Sequence, residues 1–172
     1  DQALAAPGEG QARLAVICAS LTNTAQACLR VHDVRQGIAA ARRAIELLAD
    51  PSEPALCMYR VAAEAHLAEL LLEIDDVTGA QAHVQLAKLF AEGVSQPRAH
   101  FRALLAEGQT EVRAGLTDIG LTRLKNGLSG ARGGPKEFLR EALTAAVKGY
   151  EQAGPPDVAI VYLQALLNLN RE

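Results

Sequence analysis

The residues able to carry metal or nucleophilic chemistry are His32, His66, His83, His100, Cys18, Cys28 and Cys57. Zinc needs several such ligands converging, and sequence signatures place them close, as in HExxH or CxxC. No histidine here belongs to such a set, and no cysteine stands at ligand spacing to one. "VHDV" holds the pair His32–Asp33. Metal-dependent phosphohydrolysis would need an earlier histidine as well, and none precedes it, so His32 reads as a hinge residue beside a helix cap. "HLAELLLEI" at His66 and "HVQLAK" at His83 suggest phosphate-accepting histidines on helices, but the neighbouring residues complete neither motif.

"SGARGGPKEF" is rich in glycine, and backbone N–H groups at a helix start attract anions. A phosphate loop needs GxxxxGK[ST] after a strand, and that spacing is missing. The stretch reads as a turn, with Arg132 and Lys136 available to an acidic partner. No Ser-His-Asp or Cys-His order and no distinct carboxylate pair stands out. The sequence therefore reads as a non-enzyme without metal or cofactor.

The elements around these residues are helical. Of 172 residues, 33 are Ala and 25 are Leu, whereas Trp is absent and Phe and Tyr number three each. Ala and Leu favour helices, and strands favour β-branched and aromatic side chains. An all-α protein follows. Net charge is −3, without a basic block interleaved with aromatics, so direct nucleic-acid binding is not expected. No continuous apolar run reaches the roughly 18 residues of a membrane span. Cys18 and Cys28 share one expected helix, about 15 Å apart. With three cysteines and no CxxC, reduced buried thiols and a cytoplasmic location are expected.

An acid followed by Val or Ile recurs at Asp33-Val34, Asp76-Val77, Asp118-Ile119 and Asp157-Val158, at intervals of 43, 42 and 39 residues. Pro7, Pro54, Pro97 and Pro135 keep the same rhythm, each before a long helical pattern, where its missing N–H costs nothing. "DPSEP", "GVSQP" and "GARGGP" then read as turns between units. One helix runs from each proline to the aspartate, and a second follows, capped by that aspartate. In the second helices Gly37, Ala80, Gly120 and Ala159 are small enough for close helix approach. Seven residues later stand Ala44, Ala87, Gly127 and Leu166. A period near 40 with two helices per unit predicts a right-handed helical-hairpin solenoid of about four pairs. The units cover about 10–50, 54–93, 97–131 and 135–170, and residues 1–9 form a flexible N-terminal segment. Together, 10–172 make one repeat domain.

From these residues the chain resembles the tetratricopeptide repeat (TPR) superfamily. In "GYEQAGPPDVAIVYLQALL" Tyr150, Ala159 and Leu163 match its aromatic, small and bulky positions, and Gly108 and Gly120 match its two small positions. The family's early Trp is missing, and the units exceed its usual length of about 34 residues. The resemblance implies that the first helices of each pair line a concave groove. It also implies TPR-like helices in bacterial signalling or regulatory proteins, ahead of an output domain. TPR grooves that grip a C-terminal carboxylate use Lys and Asn where this chain has Thr22 and Gln26, so that use is not expected.

By repeat position, the groove carries Gln26, Arg30, His66, Glu69, Glu73, Arg102, Gln109, Arg113, Thr144, Lys148 and Glu151. Their mixed charges suit a protein or peptide partner. The apolar last stretch, "VYLQALLNLNRE", lacks a polar cap, which suggests a continuing chain or a homodimer through this C-terminal helix. The leading expectation is a protein–protein interaction and regulatory scaffold module in a larger bacterial signalling or transcription-regulating protein. The alternative is a small-ligand sensor, with room near Ala62, Ala65, Gly108 and Ala145 and polarity from His66 or Arg113.

Overall fold

Eight α-helices and no strand occur among the described residues, which are 9–49 and 54–171 of a computed structural model. They are α1 Glu9–Val31, α2 Val34–Leu47, α3 Pro54–Leu72, α4 Val77–Glu92, α5 Pro97–Arg113, α6 Thr117–Ala131, α7 Lys136–Ala153 and α8 Pro156–Arg171. The all-α class follows from the Ala and Leu bias. Pro7 and the turn over residues 50–53 lie outside the described residues. Pro54 and Pro97 open α3 and α5, and Pro135 is the N-cap of α7.

Each helix packs on its neighbours in sequence. The odd-numbered helices also pack in series, α1 on α3, α3 on α5 and α5 on α7. Three turns within pairs share one construction. His32, Asp75 and Gly115 have φ of 57°, 61° and 84°. The N–H groups of the following residues, Asp33, Asp76 and Leu116, reach back to the carbonyls of Cys28, Leu71 and Glu111 at 3.0, 3.0 and 2.9 Å. A left-handed residue followed by such a six-to-one bond ends a helix in a Schellman turn. His32 is thus a hinge residue, and Asp33 caps α2 by accepting from Gln36 N–H. Asp76 caps α4 in the same way through Gly79 N–H.

The expected aspartate register fails in the last two pairs. The cap of α6 is Leu116, and Asp118 lies in the first turn; Asp157 likewise lies in the first turn of α8. The small residues mark the true register. Gly37, Ala80, Gly120 and Ala159 donate their N–H groups to the carbonyls of Asp33, Asp76, Leu116 and Pro155. All four are buried. An acid two residues late still favours a helix start, because its charge meets the positive end of the helix dipole.

The core is alanine-rich, with Ala41, Ala44, Ala63, Ala68, Ala80, Ala87, Ala106 and Ala146 fully buried. Such residues bring backbones close, and Leu48, Leu67, Leu70 and Leu124 fill the remaining space. Each fully buried leucine contributes roughly 1.5–3 kcal/mol. By length and composition Gly10–Val31 could cross a membrane, contrary to the expectation from continuous runs. Here it packs along α2 and α3 with Cys18, Ala25 and Cys28 buried.

Candidate functional site

The odd-numbered helices enclose a cavity of about 320 Å³. The α1 wall supplies Gln26, Leu29 and Arg30, and α3 supplies His66 and Glu69. From α5 come Arg102, Leu105 and Gln109, and from α7 Arg140, Glu141, Thr144, Ala145 and Lys148. His32 joins from the first turn. A second cavity shares His32, Glu69, Gln109 and Lys148, and adds Glu73 and Arg113. All eleven residues expected in the groove, Glu151 in the second cavity among them, line two adjoining cavities. Of the small residues expected to leave room, Ala145 lines the first cavity. Ala62, Ala65 and Gly108 are packed in the protein instead, and a Cβ on Gly108 would come within 2.9 Å of Leu124.

Glu141 ties the enclosure together. Its Oε1 accepts from Gln26 Nε2 at 3.2 Å, Arg98 Nη2 at 3.2 Å and Arg102 Nη2 at 3.0 Å. The carboxylate thereby joins α1, α5 and α7, the first and last of the odd series included. Burial acts to raise its pKa, but Arg102 and then Arg98 outweigh that and hold it below the usual range. At the other end Lys148 donates to Glu73 at 2.7 Å, and His32 lies 3.6 Å from the same carboxylate. Glu73 too falls below the usual range, because Lys148 and His32 outweigh its burial. Arg113 is committed to the Leu72 carbonyl at 3.1 Å and to the Asp75 carboxylate. Several expected groove charges are therefore paired within the chain.

His66 is different. It is 5% exposed, and both ring nitrogens lack a hydrogen-bond partner. Burial, reinforced by Arg102, lowers its pKa from 6.5 to about 3, so the ring is neutral near pH 7. A neutral imidazole offers one donor and one acceptor. One helical turn onward, Glu69 makes no hydrogen bond or ion pair among the described residues. It is partly exposed, and part of its surface opens to the cavity. Burial raises its pKa to about 7 against the opposing charge of Lys148. Gln109 is also buried without a side-chain partner among the described residues. Leaving a buried ring such as His66 unpaired costs about 1–3 kcal/mol, which a suitable guest recovers.

Arg140 and Glu141 were not anticipated. Glu141 stands seven residues before Lys148, close to two helical turns, so that spacing could have placed both on one face. No group of three or more His, Cys, Asp or Glu side chains able to hold a metal occurs among the described residues. Compared with protein-family models, curated proteins and solved structures, the chain matches none.

Proposed function

We propose that the chain is an effector-binding regulatory module, a non-enzyme that holds a small molecule among its odd-numbered helices. In this reading the helices form a right-handed, TPR-like hairpin solenoid, the cavity is on its concave side, and occupancy is passed to a protein partner. Such a module belongs in a larger bacterial signalling or transcription-regulating protein. The serial packing of α1, α3, α5 and α7, together with the shared turn of three pairs, supports the solenoid. The observation that carries the ligand reading is His66, buried at a cavity wall with both nitrogens unpartnered.

A ligand that binds only the folded state stabilises it, by about 2.7 kcal/mol at a hundredfold excess over Kd. A thermal-shift screen with small metabolites should therefore find compounds that raise Tm. Those compounds should lose their effect on a folded His66→Leu variant. A broad screen without one stabiliser would end this reading.

A second reading, capture of a protein or peptide or self-association, rests on the aliphatic side of α8. Ile160, Val161 and Leu167 are about half exposed, and Leu163 is 39% exposed. Clustered exposed apolar residues mark interaction surfaces. Light scattering of the wild type and of a Val161→Glu, Leu167→Glu variant tests it. A monomer in both removes self-association from the account.

A further inference from the structure

We infer that the ligand of the first cavity is a small organic anion whose acidic group lies between Arg30 and Arg140, with its polar body against His66 and Gln109. This rests on the effector-binding reading above and names the chemistry of its ligand.

The inference follows from which charges are already spent. Arg102 serves Glu141, and Lys148 serves Glu73. Arg30 forms no hydrogen bond or ion pair among the described residues. Among the described residues Arg140 donates only to the neutral Asn170 Oδ1, at 2.9 Å. These two residues line the cavity from different walls, Arg30, which is largely exposed, from α1 and Arg140 from α7. Guanidinium matches the planar acceptor geometry of a carboxylate or a phosphate. On the acidic side Glu141 is saturated by three donors, which leaves Glu69 as the unpaired carboxyl. Burial holds Glu69 near pKa 7, so much of it is uncharged near neutrality. A cationic guest would therefore meet two unneutralised guanidinium groups and little opposing charge.

Two features restrict the remainder of the molecule. Leu29, Leu105 and Ala145 offer apolar wall, while His66 and Gln109 each offer a donor and an acceptor. At about 30 Å³ for each water-sized group, the cavity holds roughly ten non-hydrogen atoms. The ligand class is a compact carboxylate or phosphate ester with a hydroxyl, carbonyl or amide group. A folded peptide is too large for it.

Calorimetric titration of the whole chain with succinate, glutamate, glycerol 3-phosphate, inorganic phosphate, neutral glycerol and cationic putrescine tests this assignment. An organic anion should bind with Kd on the order of 1 mM or tighter and shift the His66 ring resonances in NMR spectra. Arg30→Gln with Arg140→Gln should weaken it about tenfold or more. The double variant should keep its helical circular dichroism, because neither arginine holds an ion pair among the described residues. Tighter binding of carboxylates or of the phosphate ester identifies the acidic group. Binding of inorganic phosphate as tight as that of every organic anion would overturn the assignment of the polar body. Binding of glycerol or putrescine alone, or anion binding that survives the double substitution, would overturn the anion assignment while leaving the effector reading standing. If none of these probes binds and the wider screen also finds no stabiliser, both fall.

Discussion

Glu64 Oε2 lies 2.6 Å from His83 Nδ1, joining a fully buried carboxylate on α3 to a ring on α4. The other oxygen accepts from Arg60 Nε at 2.7 Å. Arg60 also donates to the Leu48 carbonyl at 2.7 Å and stacks over Phe90 at 4.6 Å, so the cluster holds α2, α3 and α4 together. Glu107 repeats the arrangement one period later, between Lys88 at 2.6 Å and Arg123 at 3.1 Å. These acids pin neighbouring helices, as Glu141 does across the cavity, whereas Glu69 lines the cavity without a bonded partner among the described residues.

Removing one partner of a buried ion pair strands the other charge, at a cost of roughly 3–5 kcal/mol. Glu64→Ala should lose stability on that scale, read as a lower urea midpoint. Adding Arg60→Met should restore part of the loss, although the bond to the Leu48 carbonyl goes with the arginine. A Glu64→Ala midpoint equal to the wild type would remove the cluster from the account of stability.

Two glycines of α6 should respond oppositely to alanine. A Cβ on Gly120 would stand 2.6 Å from the Gly108 carbonyl oxygen and 2.8 Å from Val112 N, both backbone atoms that cannot step aside. Gly120→Ala should cost about 1–3 kcal/mol through overpacking, despite alanine's helix preference. Gly130 is exposed, and its Cβ would meet nothing within 4 Å. Gly130→Ala should add about 0.4–1 kcal/mol. Paired denaturation curves check both signs, and stabilisation by Gly120→Ala would contradict the close contact of α5 and α6.

The pH dependence of stability contains two opposed contributions from α3. His66 titrates at about 3 in the fold and near 6.5 when unfolded, so the unfolded chain binds more protons between those values. Its contribution is full above pH 6.5 and is lost as pH falls toward 3. Glu69 is raised from 4.5 to about 7, so the folded chain binds more protons in that window. Its contribution is full below pH 4.5 and is lost as pH rises through 7. Between about pH 4.5 and 6.5 the two slopes oppose, and these groups together leave stability nearly level there. Glu69→Gln should expose a rise with pH up to about 6.5, and His66→Gln should expose a fall from about 4.5 to 7. Denaturation midpoints across pH 4–8 test this, and unchanged profiles for both variants would reject the assignment.

The helical class was legible because Ala and Leu dominate every unit, and the approximate period because prolines recur at the starts of α3, α5 and α7. The register was not fully legible. The acid–aliphatic dipeptide is conspicuous, but at Asp118 and Asp157 it only complements a helix dipole. The buried small residue is what packing fixes, at Gly37, Ala80, Gly120 and Ala159. Which residues line the cavities could be read from repeat position, since residues at matching places on successive first helices come together there. Which charges remain free could not. Arg102 and Arg30 look alike in sequence, and only the placement of Glu141 on α7 separates the committed guanidinium from the uncommitted one.

That placement makes Glu141 the residue whose loss should open the cavity. Glu141→Gln keeps the shape but removes the charge that Arg98 and Arg102 share. Hydrogen bonds to charged groups contribute about 1.5–3 kcal/mol, and a loss of that size should appear in the urea midpoint. The charge of Glu141 also opposes the lowering of the His66 pKa, so its removal leaves the ring more firmly neutral. The local role can be separated from a general one by adding Arg102→Leu. If the two side chains act as a pair, the double variant should lose less than the sum of the singles by about 0.5 kcal/mol or more. Additive losses would mean that α5 and α7 are held by their apolar contacts, among them Phe101 stacked on Phe138 at 5.5 Å, and that Glu141 does not close the cavity.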